Sequence, residues 1–240
     1  MRLSQIPWLA GSGHGRRAAL GRIIAAAAFT ACLPLPATAG TYEDFLHALR
    51  IDDIQTLRRL RQRGFDFNTV DESGQPPLLL ALRLDSVQAA AFLIQQPGFN
   101  LDAINSSGEN ALMIAALRGH VGLLHQMIRQ GAEVNKPGWA PLHYAATNPG
   151  AISAEMIDLL LEASAYIDAA SPNDTTPLMM AARYGHRDSV RMLIDAGADV
   201  SLRNQQDLSA LDFALRADRR DVADLIARSL RATRSAPASW

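Results

Sequence analysis

Cysteine is all but missing from this chain. The one residue, Cys32, falls within the first 39 positions. A chain that starts after them has no disulfide and no thiol nucleophile, which is compatible with an oxidising compartment. Lysine is equally scarce: Lys136 stands alone against 22 arginines, a skew we read as genomic bias. Long apolar runs are absent too. The stretch Ile23 to Leu35 is alanine-rich and too short to span a bilayer comfortably. No HExxH, GxSxG, Walker loop or CxxC occurs, so the common metal, serine-nucleophile, nucleotide and redox signatures are excluded. With 48% hydrophobic and 20% charged residues the composition is globular.

The formal net charge of −1 hides an asymmetry. Residues 1–39 hold Arg2, Arg16, Arg17 and Arg22 and no acid, which leaves 19 basic and 24 acidic residues beyond them, net −5. An acidic chain of this kind argues against generic binding to nucleic acid or to anionic lipid. The same 39 residues have the three parts of an export signal. Arg16, Arg17 and Arg22 are the basic region, Ile23 to Leu35 the apolar one, and Ala37-Thr38-Ala39 the cleavage site. The arginine pair resembles a twin-arginine signal without its aromatic position. Phe29-Thr-Ala-Cys32 loosely resembles a lipoprotein box, with Phe29 departing from the aliphatic residue expected there. The leader type and arginine bias suggest a Gram-negative bacterium, and so the periplasm. The alternatives are an uncleaved anchor or a misassigned start and a cytoplasmic protein.

What the chain does have is a repeat. Thr176 to Val200 (TPLMMAARYGHRDSVRMLIDAGADV) reads as helix, tight turn, helix and stop. Thr176 suits the cap and Pro177 the first helical position, where a missing N–H costs nothing. Leu178, Ala181 and Ala182 line one face; Val190, Leu193 and Ile194 resume at helical spacing after Gly185-His186. Gly197 can end the second helix in the left-handed region. Two short helices cannot bury their apolar faces alone and must stack on copies of themselves. Copies begin at Phe45, Leu78, Leu112, Leu142, Leu178 and Leu211, separated by 33, 34, 30, 36 and 33 residues.

The segments TPLMMAARYGH, APLHYAA and GADV, repeated near 33 residues, resemble the ankyrin repeat family over about residues 42 to 231. The resemblance implies an all-α solenoid of about six helix-turn-helix repeats with short hairpin loops, at approximately 41–67, 68–101, 102–134, 135–167, 168–200 and 201–231. Residues 1–39 are then a signal peptide, 40–231 the repeat domain and 232–240 a flexible tail. Repeat one, with Arg58, Arg59, Arg61 and Arg63 in its second helix, reads as a polar cap. Pro97 accounts for the 34-residue spacing. Repeat four departs most: its loop at 135–138 is short, its inter-helix segment 147–153 is long, and Ser164 stands where the family has glycine. Repeats five and six carry Asp174 and Asp207 at the hairpin glycine position, residues that tolerate the left-handed region.

The resemblance gives His120, His143 and His186 structural hydrogen-bonding jobs and implies no catalysis, cofactor or metal. The column Leu80, Ile114, Tyr144, Met180, Phe213 reads as core between inner helices. Another column, five residues past each repeat's anchor, reads Arg50, Arg83, Leu117, Thr147, Arg183, Arg216, with Arg118 beside the gap. Stacked at ankyrin spacing it lines guanidiniums along the concave side, where each also complements the negative end of its helix. With Trp139 and Tyr144 from irregular repeat four and Tyr184 beside Arg183, these are the candidate partner-binding residues. The expected function is non-catalytic: a protein partner with an acidic surface, bound by a monomer through its concave face and hairpin tips, without nucleic acid and without membrane once the signal is cleaved. An immunity factor against a toxin is the alternative within that class. An enzyme or small-molecule receptor around Trp139 and His143 is the alternative outside it.

Overall fold

The computed structural model describes residues 38–235; the stretch read from sequence as an export signal lies outside them apart from its last two positions. Helices arise in pairs because each apolar period is broken after about two turns. The pairs are α1 (Thr38–Arg50) with α2 (Ile54–Gln62), α3 (Pro77–Arg83) with α4 (Val87–Ile94), and α5 (Ala111–Arg118) with α6 (Val121–Arg129). They continue with α7 (Pro141–Thr147) and α8 (Ile152–Glu162), α9 (Pro177–Tyr184) and α10 (Arg187–Asp195), and α11 (Ala210–Arg216) and α12 (Arg220–Ser235). Odd-numbered helices stack in one layer and even-numbered helices in another. Through the middle of the array the first layer packs more closely than the second. Among the described residues no helix is long and apolar enough to cross a membrane. The last helix continues to Ser235, into the stretch read from sequence as a tail.

The start and stop signals act as chemistry requires. Pro77, Pro141 and Pro177 each open an inner helix. Thr176 Oγ1 accepts from Met179 N at 3.4 Å, and Ser209 and Asp212 exchange bonds reciprocally at the start of α11. Asp174 and Asp207 adopt φ of 60° and 57°, as the missing hairpin glycines demand, and Ser164 adopts 66°. Gly185 has another reason to be glycine. Its φ of −76° is ordinary, but a Cβ there would lie 2.1 Å from the Ala146 carbonyl oxygen.

The core is continuous along the stack. Alanines 81, 115, 116, 145, 146, 181 and 182 are fully buried where inner helices meet, so neighbouring backbones approach closely. Phe45, Phe65, Phe67 and Phe92 close the N-terminal end, with successive ring centroids 4.8, 5.5 and 5.5 Å apart. Polar ladders tie each inter-repeat loop to the next. Asn68, Asp102, Asn135 and Asp168, each at the start of its repeat, accept a backbone N–H from near the end of the same repeat, donated by Asn100, Glu133, Tyr166 and Asp199. The long inter-helix segment of repeat four does similar work. Asn148 Nδ2 donates to Ala116 O and Leu117 O at 3.3 and 3.0 Å, capping α5 from the next repeat.

Candidate functional site

The interruption in the arginine column is where a pocket opens. Leu117 and Thr147, the two positions that are not arginine, line a cavity of about 190 Å³ together with Trp139, His143, Tyr144 and Met180. Helices α5, α7 and α9 supply these side chains except Trp139, which stands in the loop just before α7, so the pocket sits on the inner layer near the centre of the array. Leu117 is 41% exposed, although its neighbours Ala115 and Ala116 are wholly buried. Trp139 packs edge-on to His143, with centroids 5.2 Å apart. The lining is apolar but for Thr147 and the edges of His143 and Tyr144. The tryptophan and the tyrosine are of the residue types enriched at interface hot spots.

Both ring nitrogens of His143 are engaged by backbone. Ala140 N donates to its Nδ1 at 3.2 Å, and its Nε2 lies 2.9 Å from the Thr175 carbonyl oxygen, so Nε2 carries the proton. Both ring nitrogens therefore tie repeat four to its own cap and to repeat five. Burial holds the imidazole below the usual histidine range. Among the described residues no group of three or more histidine, cysteine or acidic side chains is placed to hold a metal.

Polar pairs flank the pocket. The Tyr144 hydroxyl donates to Glu109 Oε1 at 3.2 Å, while Asn105 Nδ2 and Arg83 engage Glu109 Oε2. Burial first, then the Glu109 carboxylate, push the Tyr144 phenol up to about 12. Met180, read from sequence as core together with Tyr144, is only half-buried and shows its side to the pocket.

The arginines divide into two kinds. Arg83 and Arg118 already carry carboxylates, Glu109 and Asp85 respectively, and Arg118 turns back to the preceding repeat instead of filling the gap at Leu117. Arg83 and Arg118 thus stand in the row as ion-paired groups. Arg50, Arg183 and Arg216 are exposed in the last turns of α1, α9 and α11. Among the described residues none of the three has an ion pair. Arg183 lies over its neighbour, with its guanidinium carbon 4.9 Å from the Tyr184 ring centroid, and Tyr184 is 47% exposed. Arg50 borders a separate depression with Tyr42, Asp71 and Glu72. The structure thus brings Trp139 and Tyr144 together, links Arg83 to them through Glu109, and spreads the other candidates along the array. Leu117, Met180 and Glu109 were missed from sequence as site residues. The signal was the break in the arginine column, which is uninformative until the fold shows that both breaks face one cavity.

Comparisons with known proteins agree with this architecture. A model of ankyrin repeats in three copies matches residues 45–137, 93–171, 112–204 and 142–233. The chain is 28% identical over 183 residues to the human transient receptor potential cation channel subfamily A member 1, covering 72% of this chain and 16% of that protein. It is 32% identical over 155 residues to the mouse nuclear factor NF-kappa-B p105 subunit, covering 62% of this chain and again 16% of the relative. It therefore spans a small part of these relatives' own length. Among solved structures it is similar to a chain of the complex of a predatory endopeptidase from Bdellovibrio bacteriovorus with an immunity protein. The TM-score is 0.67 at 26% identity, over 78% of this chain and 97% of the other.

Proposed function

The chain belongs to the ankyrin repeat family, and we propose that it is an exported immunity-type inhibitor that neutralises an enzyme by binding it. Ankyrin repeats are protein–protein interaction modules, and a protein partner follows from the family. One observation carries the finer reading: the likeness to a chain of an endopeptidase–immunity protein complex extends over 97% of that chain, with no large domain left over. In this reading the partner enters the concave side, seats an apolar side chain between Trp139, Tyr144 and Leu117, and places carboxylates against Arg183 and Arg216. In the same reading residues 1–39 are an export signal, the encounter takes place in the periplasm, and the chain acts there as a monomer. A cavity of about 190 Å³ is smaller than the roughly 300–1,000 Å³ of small-molecule sites and favours a single anchoring side chain over a substrate.

The test is capture followed by inhibition. Chain starting at Gly40 is immobilised, exposed to periplasmic extract, and the bound species identified by mass spectrometry. The reading expects a peptidase or other hydrolase whose activity disappears when equimolar chain is added. A captured enzyme that keeps full activity in the complex, or no captured enzyme, would overturn it.

A further inference from the structure

The outer layer carries a charge pattern that the concave site does not use. Helices α2, α4 and α6 contain no acidic residue at all, in a chain whose residues 40–240 have net charge −5. The next outer helix, α8, carries Glu155, Asp158 and Glu162 and no base. The boundary between α6 and α8 is therefore a reversal of sign, not a gradual drift. The carboxylates nearest the start of these helices are already committed. Asp53 holds Gln55 N, Thr56 N and Thr56 Oγ1. Asp52 accepts Gln88 N and Ala89 N at the start of α4, and Asp85 pairs with Arg118 and lies 3.1 Å from His120. Arg58, Arg61 and Arg129 are exposed, and among the described residues none of them has an ion pair.

Two grooves run between these helices and meet at Gln95. The first, about 640 Å³, lies between α2 and α4 with Arg58 and Arg61 on one wall, Gln88 and Gln95 on the other and Phe92 at its floor. The second, about 440 Å³, lies between α4 and α6 and offers His125, Gln126 and Arg129. Guanidinium forks recognise carboxylates in two-pronged fashion, and glutamine amides can bond the main chain of whatever lies across them. We propose that the outer faces of α2, α4 and α6 form a second docking surface, for an extended acidic segment of a protein. Outer helices about 8–10 Å apart give a track of roughly 20 Å, which about six extended residues would cover. This surface is on the opposite layer from the Trp139 pocket, so both can be occupied at once, and it does not depend on what the pocket binds.

The probe is a fluorescein-labelled decaglutamate peptide, titrated by anisotropy into the full chain. The expected result is saturable binding at about 20 mM salt that weakens strongly at about 150 mM, where screening falls to roughly 8 Å. The double variant Arg58→Glu/Arg129→Glu should weaken binding by at least about tenfold. Neither residue is buried or paired, so an unchanged circular dichroism melt certifies the fold. Arg220→Glu, at the start of α12 and 87% exposed, should leave peptide binding as it was. The proposal is overturned by no saturable binding, by binding that survives the double variant, or by binding lost equally in Arg220→Glu. Vesicles of phosphatidylglycerol serve as a competing probe: binding to them in preference to the peptide would also overturn it.

Discussion

The Tyr144 hydroxyl donates to Glu109 Oε1 across 3.2 Å, from repeat four to repeat three. Arg83 of repeat two reaches the other carboxylate oxygen, as does Asn105 Nδ2. Glu109 is thus the hub of a three-repeat network, 20% exposed, whereas Arg83 at its rim is 45% exposed. Removing the hub should cost more than removing the rim. We expect Glu109→Ala to lower stability by about 1–3 kcal/mol, since it leaves Tyr144 and Arg83 without their acceptor. Arg83→Ala should cost about 0–1 kcal/mol, the range for exposed pairs. Urea unfolding of both variants checks the order; equal losses would show that Glu109 is not the hub. It also follows that Arg83→Glu is a poor binding probe, because it sets two carboxylates against each other.

A second expectation concerns pH. Burial lowers the His143 pKa in the folded chain, with both ring nitrogens committed to backbone. The unfolded chain, titrating near 6.5, binds the proton more readily. Stability should therefore be full above about pH 7 and fall as the pH descends through about 6.5 toward the depressed folded value. His143→Gln should flatten that part of the stability–pH curve while lowering stability at every pH. A curve that keeps its slope between pH 5.5 and 7 in the variant would assign the dependence to another group.

Gly185 and Gly197 should fail as alanine for different reasons. At Gly197 the φ of 98° is the obstacle and the space is open, so Gly197→Ala should cost about 1–2 kcal/mol. At Gly185 the dihedral is ordinary, but the new Cβ meets the Ala146 carbonyl at 2.1 Å. Overpacking of that kind costs about 1–3 kcal/mol or more. Thermal melts should rank Gly185→Ala below Gly197→Ala, and the reverse order would mean that α7 and α9 separate easily.

The C-terminal repeat depends on one arginine. Arg219 Nη1 donates to Ala181 O and Ala182 O at 2.8 and 3.0 Å, capping α9 from the last repeat as Asn148 caps α5. Arg219→Ala should release α11 and α12 before the rest, at a cost of about 1.5–3 kcal/mol for bonds from a charged donor. Hydrogen exchange resolved by residue would show early loss of protection in α11 and α12; uniform loss along the chain would contradict a local role.

Much of this fold is legible in the sequence because ankyrin signals are local. Pro177 at a first helical position and Ala181 and Ala182 on one face follow from the residues and their spacing, and Asp174 and Asp207 at left-handed turns from the resemblance to the family's hairpin. The site is less legible. A column of arginines shows where side chains point, but not which of them already hold Glu109 or Asp85, since those partners sit 26 and 33 residues away. Asn148 and Arg219 illustrate the same limit. Each caps a helix in another repeat, and no local signal in repeat four or six marks it. The extra residues of repeat four, ambiguous as sequence, supply Asn148 as that cap.

In the proposed function the partner anchors in the pocket between Trp139, Tyr144 and Leu117. The most direct measurement is calorimetric affinity of the captured partner for Leu117→Arg. That side chain is already 41% exposed, so the fold should tolerate the change and the melting temperature should hold. A charged side chain filling the pocket should weaken binding by at least about 30-fold, the loss of a hot spot worth about 2 kcal/mol or more. An affinity within about threefold of the unaltered chain would place the partner elsewhere and contradict the central claim.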